Sequence, residues 1–262
     1  MPTIERHDAG SFCWFELATT DQTAAKKFYT SLFGWSVEDF PMGPSEFYSM
    51  FQLEGKEVGA AYTLRADQRS QGIPPHWMIY IAVESADDMT RRAQELGGKI
   101  FAPAFDVADY GRMAVLADPT GAVFSIWQAK QHAGTGIEGV DGTVCWVELS
   151  TPDIEPARKF YSDLFGWQIS ADNDPDGYLH IKNGESHIGG IQPAAFRNPQ
   201  IPPHWMIYLL VSDCKAAASK ASELGSQSLL EPMDMPKVGR MAVLKDPQGA
   251  VFALFQPEPK SF

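Results

Sequence analysis

The chain repeats itself. The eight residues Ile73–Tyr80 recur unchanged as Ile201–Tyr208, 128 positions later. Gly111–Leu116 recurs as Gly239–Leu244, and Asp118–Phe124 recurs with one change as Asp246–Phe252, both at the same offset. Nearer the start the offset is 132: Cys13-Trp-Phe-Glu-Leu17 matches Cys145-Trp-Val-Glu-Leu149, and Leu32–Trp35 matches Leu164–Trp167. The second copy has therefore lost four residues between Trp167 and Ile201. A duplication of this extent restricts the fold to two versions of one domain, and 262 residues suit two. The expected division is a first domain at 9–129, a polar, Gly-containing linker at 130–142 and a second domain at 143–258.

Each copy has an internal rhythm. Cys13–Ala18 alternates like a strand. Thr19-Thr-Asp21 then offers capping oxygens, Ala25, Phe28, Tyr29 and Leu32 follow at helical spacing, and Gly34 supplies the stop. Strands are expected at 47–53 and 57–64. The pattern restarts with a strand at 77–83, a helix at 85–96 stopped by Gly97-Gly98, and strands at 112–116 and 122–128. The last two are joined by Asp118-Pro-Thr-Gly121, a type I turn sequence. Each half reads βαβββ–βαβββ. The fold class is α+β, a tandem duplication in which each domain pairs two βαβββ modules around a cleft.

Composition removes several function classes. With 21 Lys+Arg against 33 Asp+Glu, the net charge is −12, unsuited to nucleic acid or anionic membrane. No apolar run approaches the roughly 18 residues of a membrane span. Residues 1–10 are polar and lack the apolar core of a signal peptide. Cys13, Cys145 and Cys214 form no CxxC. The expected setting is soluble and cytoplasmic, as a monomer or homodimer. Gly134–Gly139 matches GxGxxG, but it lies in the linker and precedes a strand, so no helix N-terminus would meet a pyrophosphate.

Strand parity sorts the side chains. Cys13, Phe15 and Leu17 should meet the helices, as should Trp77, Ile79 and Ile81. Trp14, Glu16, Met78, Tyr80, Ser125 and Trp127 should face the cleft. In the second copy Trp146, Glu148, Met206, Tyr208, Ala253 and Phe255 take those places. Tyr48 and Tyr178 lie on a central strand whose parity is ambiguous. The expected cleft is apolar and aromatic with one carboxylate and one phenol, the usual make-up of a small-molecule pocket.

The pattern Trp-Phe-Glu-Leu-x-Thr-Thr-Asp, then Phe-Tyr, Leu-Phe-Gly-Trp, Glu-Leu-Gly-Gly and Asp-Pro-x-Gly-x-x-Phe resembles the vicinal oxygen chelate superfamily of glyoxalases, bleomycin-resistance proteins and dioxygenases. It is similar in particular to tandem two-domain glyoxalase-like proteins, a type that includes a mycobacterial secreted antigen. The resemblance implies the paired-module fold and, in metal-using members, His, Glu or Gln ligands facing the cleft. Here those positions fall on Trp14 and Trp146, Met78 and Met206, Ser125 and Ala253, and near Ala60 and Gly190. None offers the oxygen or imidazole nitrogen that such an ion requires. No metal and no other cofactor is therefore expected. His76 and His204 have cleft parity but stand where strands begin, beside a Pro-Pro turn.

Glu16 and Glu148 are the candidates for general base, since desolvation raises a carboxyl pKa; the other reading of each is a structural strut, paired with Arg or Lys or hydrogen-bonded across the sheet. Arg112 and Arg240 either clamp a ligand carboxylate or pair with nearby aspartates. Trp14, Trp127 and Trp146 either stack on a ligand or fill space. The functional expectation is a metal-free cleft binding a small, partly aromatic or apolar molecule. The alternative is a lyase- or dioxygenase-type enzyme using a divalent metal or Glu16/Glu148. Cys13 and Cys145 read as buried and inert. Cys214, in a helix's first turn, has a place that could lower its pKa.

Overall fold

The computed structural model describes residues 4–44, 46–171 and 177–258. The first half contains β1 (Phe12–Thr19), α1 (Gln22–Phe33), β2 (Ser36–Pro41), β3 (Phe47–Leu53), β4 (Lys56–Thr63), α2 (Ala66–Ser70), β5 (His76–Ala82), α3 (Ala86–Glu95), β6 (Lys99–Val107), β7 (Gly111–Ala117) and β8 (Val123–Ala129). The second half follows with β9 (Val144–Ser150), α4 (Ile154–Phe165), β10 (Gln168–Ser170), β11 (Leu179–Asn183), β12 (Ser186–Ile191), β13 (His204–Leu210), α5 (Cys214–Glu223), β14 (Gln227–Met235), β15 (Gly239–Lys245) and β16 (Val251–Pro257).

Each half is one eight-stranded sheet, in the orders β2-β3-β4-β1-β5-β8-β7-β6 and β10-β11-β12-β9-β13-β16-β15-β14. The two modules of a half join where β1 runs antiparallel to β5, and β9 to β13. The α+β duplication is thus what the chain adopts. The outer strands β2, β6, β10 and β14 were not located by the sequence pattern. β2 is almost wholly exposed and shows no apolar alternation. Pro103 interrupts β6, where the edge position tolerates a residue without an N–H.

Local signals explain the helix ends. Asp21 caps α1 by accepting from the Ala24 N–H, and Gly34 closes it at φ 72°. Ser85 caps α3 through Asp88 N. In each Asp-Pro-x-Gly turn the aspartate holds the loop: Asp118 Oδ1 accepts from the N–H groups of Thr120, Gly121 and Ala122, and Asp246 Oδ1 from Gln248, Gly249 and Ala250.

The helix-side faces of the two sheets share one core. α1 packs on α5 and α3 on α4. Phe252 of the second half lies 5.6 Å from the Tyr29 ring of the first, and Phe124 lies the same distance from Tyr161. Trp35 Nε1 donates to Gly142 O, and Trp167 Nε1 to Gly10 O. The halves are intergrown, and this arrangement leaves the opposite face of each sheet as its cleft. The segment 130–142 is also built in: Thr135 and Ile137 are buried, and Thr135 N donates to Cys13 O.

Candidate functional site

The clefts are lined as parity requires, apart from one correction. A bulge between Phe12 and Trp14 displaces the register of β1 against β5, and β9 carries its counterpart at Cys145. Cys13 therefore packs with Trp14 and Tyr80 in the cleft cluster, not under the helices. Phe12 is turned to the domain boundary, where its ring lies 5.5 Å from Trp167 and 5.6 Å from Trp205. A bulge adds one residue and so reverses the side of everything before it.

In the first cleft Tyr80 OH donates to Glu16 Oε2 at 2.5 Å. Trp14 Nε1 donates to Tyr48 OH at 2.9 Å, and the Tyr48 phenol lies beside the same carboxyl. The second cleft repeats this with Tyr208 OH to Glu148 Oε1 at 2.9 Å and Trp146 Nε1 to Tyr178 OH at 2.8 Å. Gly190 makes this possible: a Cβ there would collide with the Tyr178 phenol. The sequence left Tyr48 and Tyr178 unassigned; their equivalent places in the two copies, 130 residues apart, were the available signal.

Burial raises the pKa of both carboxyls, and the phenols only partly offset it. The same burial, with the adjacent carboxylate, holds Tyr80 and Tyr208 well above the ordinary phenol range. Each carboxyl is thus a desolvated group tied to phenols, able to share a proton with a neutral polar atom. Arg65 adds a positive field near Glu16; among the described residues no cation acts on Glu148 in the same way.

The remaining candidates divide. Met78 and Met206 are half-buried in the clefts beside Glu16 and Glu148. Trp127 is nearly buried, and its Nε1 donates to His132 O at 2.9 Å. Ser125 is sealed beside Tyr80, its hydroxyl without a hydrogen-bond partner. Phe255 stands in the second cleft where Trp127 stands in the first, and remains half-buried. Arg112 is not brought to the cleft: it makes a two-point pair with Asp87 at 2.8 and 2.9 Å and donates to Ala104 O. Arg240 pairs with Asp234 at 2.6 Å. Neighbouring Met113, not Arg112, faces Trp127, so the guanidinium lies on the helix side.

His76 and His204 donate from Nδ1 to Pro74 O and Pro202 O, which fixes them at the strand starts. The sequence reading overlooked His180, which occupies the second cleft where Met50 stands in the first. Its ring lies 5.3 Å from Tyr178 and 6.1 Å from Trp146, and its Nδ1 is buried without a hydrogen bond. Cys214 does begin α5, but burial pushes its thiol up to about 11, opposite to the expected direction; Cys145 stands at about 12.

The positions where the fold would present metal ligands hold Trp14, Met78, Ala60 and Ser125, and their second-domain counterparts Trp146, Met206, Gly190 and Ala253. No group of three or more His, Cys, Asp or Glu converges among the described residues. These side chains do not fit a divalent ion.

The sequence profile of the Glyoxalase/Bleomycin resistance protein/Dioxygenase superfamily matches residues 11–126 and again 143–254. The chain belongs to that superfamily. Among its relatives is a protein of Mycobacterium tuberculosis named "Putative glyoxylase CFP32". It is 41% identical over 263 residues, 99% of this chain and 100% of that one. The anthracycline biosynthesis protein DnrV of Streptomyces peucetius is 36% identical, over 97% of this chain and 95% of its own. The same fold appears in an Mn(II)-bound glyoxalase from Novosphingobium aromaticivorans, with TM-score 0.65 and 16% identity over 95% of this chain and 82% of that one. The 2,3-dioxygenase LapB from Pseudomonas sp. KL28 gives 0.62 and 14%, over 97% of both chains. The superfamily fold hosts many chemistries, so the reaction must be argued from the site.

Proposed function

We propose that this superfamily member is a metal-free receptor for a small, uncharged, partly aromatic molecule. The observation that carries this reading is the Trp146–Tyr178–Glu148–Tyr208 constellation, repeated as Trp14–Tyr48–Glu16–Tyr80. Indoles supply flat apolar walls, and a carboxyl tied to phenols supplies a polar handle without a fixed charge. The name of the DnrV relative, a protein of anthracycline biosynthesis, is in keeping with an aromatic ligand. Three free thiols suit a reducing, cytoplasmic setting, with the chain acting as monomer or homodimer. No helix among the described residues is long and apolar enough to cross a membrane.

The test compares 2-naphthol with its anionic analogue 2-naphthoate by quenching of tryptophan fluorescence. Preferential binding of 2-naphthol is expected. No binding, or a preference for 2-naphthoate, rejects the reading. One observation favours catalysis instead: the raised pKa of Glu16 and Glu148, which suits a base working near neutral pH. If Glu16→Gln and Glu148→Gln together abolish a turnover that the native protein shows, the receptor reading gives way to that one.

A further inference from the structure

The helix side of each sheet is its core side, and apolar residues belong there. Ser228 of β14 pairs with Leu244 of β15, a residue of the shared core, so its side chain is turned to the helix side. Ser226 stands just before β14 under the end of α5, where its N–H donates to Ala221 O. The equivalent positions of the first half, 128 residues earlier, are Gly98 and Ile100. Ile100 packs on the core. Gly98 has no room for a side chain: an added Cβ would lie 2.9 Å from the carbonyl oxygens of Ala93 and Ala117 and 3.0 Å from the Phe160 ring. The second half puts a hydroxyl at both places. Ser226 Oγ and Ser228 Oγ are buried, and neither has a hydrogen-bond partner among the described residues.

Both serines line a cavity of about 300 Å³ between α5 and β14. On α5, Lys215, Ser219 and Ser222 line it too, at the spacings of four and three residues that keep side chains on one helix face. Glu231 of β14 completes the polar lining. The same places in the first half hold Asp87, Arg91, Gln94 and Pro103. There Asp87 pairs with Arg112, and Arg91 with Asp88. The cavity thus accompanies the replacement of long or apolar side chains by hydroxymethyl groups in one copy.

We propose that this cavity is a binding site in its own right, on the face opposite the second cleft, for an uncharged polyhydroxylated molecule the size of a monosaccharide. It stands whether or not the clefts take a ligand. The volume is at the lower end of the usual range for small-molecule sites. Each of the four serine hydroxyls both donates and accepts, as the hydroxyls of such a guest do. Unpartnered buried hydroxyls lower stability, and folding alone gives no reason to keep two of them. A guest supplies their partners, and each hydroxyl reaches it by turning about χ1. Lys215 and Glu231 leave the lining without net charge. An anion is disfavoured, because Ser222 and Ser226 flank the C-terminal end of α5, the negative end of the helix dipole. An apolar guest would leave the same hydroxyls unpaired.

The test follows backbone amide resonances of the ¹⁵N-labelled native chain during separate titrations with D-glucose, D-sorbitol and myo-inositol, each up to roughly 0.1 M, the range of weak affinities. At least one of the three should give saturable shifts centred on the amides of Ser219, Ser222, Ser226 and Ser228, and inorganic phosphate should give none there. Ser228→Ile restores the first half's residue. It should weaken that binding about tenfold, since it removes a hydroxyl contact and fills the space behind it, and it should raise the melting temperature. Ser222→Ala changes an exposed residue, leaves the fold intact and should weaken the same binding severalfold. The absence of saturable shifts at these amides with all three compounds overturns the proposal. So does saturation by phosphate instead, or binding indifferent to both substitutions. A Ser228→Ile chain that melts below the native one also overturns it, because the space would then not be there.

Discussion

The Tyr29 hydroxyl of the first domain donates a 3.0 Å hydrogen bond to Asp246 Oδ2 of the second. The same hydroxyl accepts from Trp77 Nε1 at 3.0 Å, and the other oxygen of Asp246 organises the turn before β16. One buried chain of polar atoms therefore ties a helix, a strand and a turn across the domain boundary. Its counterpart runs from Trp205 to Tyr161, whose hydroxyl faces Asp118.

Tyr29→Phe leaves Trp77 Nε1 without an acceptor and Asp246 Oδ2 without its donor. Unpaired buried groups of this kind cost about 1–3 kcal/mol. Urea unfolding should show a loss of that size with an unchanged m-value, and both domains should still unfold in one transition because they share a core. Two separate transitions in the native protein would contradict the intergrown architecture.

Glu148 gives a signed pH dependence. Its folded-state pKa is raised above the ordinary 4.5 by burial, so the folded chain holds the proton more firmly than the unfolded one. Its contribution is most favourable below about pH 4.5 and declines as pH rises through the raised value. Glu148→Gln keeps an acceptor for Tyr208 and removes the charge. The variant should melt a few degrees higher than the native chain at pH 8, since 1 kcal/mol corresponds to roughly 2–4 °C at this size. The difference should vanish near pH 4. A variant that melts lower at pH 8 would show that the ionised form is stabilising.

Gly134 lies in the segment after β8, a strap held across the first cleft at Tyr110, Cys13 and Glu57, and at its φ of +118° an added Cβ would collide with the Cys13 carbonyl oxygen. That oxygen belongs to a strand and cannot yield. Gly134→Ala should lift the strap, lower the melting temperature and make Trp14 accessible to acrylamide quenching. Unaltered quenching would mean that the strap adapts in place.

Loading with Mn²⁺ or Zn²⁺ and removal with EDTA should leave the melting temperature unchanged, because the positions that could hold an ion carry indole, thioether, methyl and hydroxymethyl groups. Ligand binding stabilises the folded state by mass action, so an upward shift at micromolar metal would reveal a coordination site that these residues do not explain.

The repeat, the helix caps and the alternation of β1, β5 and β8 were legible because each depends on neighbours in sequence. They put Glu16 with Tyr80 and Glu148 with Tyr208 on the cleft faces, where the hydrogen bonds between them lie. Parity could not anticipate the bulge at Cys13, because its extra residue is defined only by the partner strand. It could not assign Arg112 either, since Asp87 lies 25 residues away on a helix.

The sequence by itself determined the duplicated α+β architecture and the residue types at each cleft position, because strand and helix periodicities act over short distances. Tertiary structure alone decided that the segment after β8 covers the first cleft. The two copies carry nearly the same strands, and what separates them is a joining segment whose N–H groups found acceptors on β1, β4 and the turn after β6. Its hydrogen bonds to β1 and β4, more than seventy residues away, leave no local pattern to read.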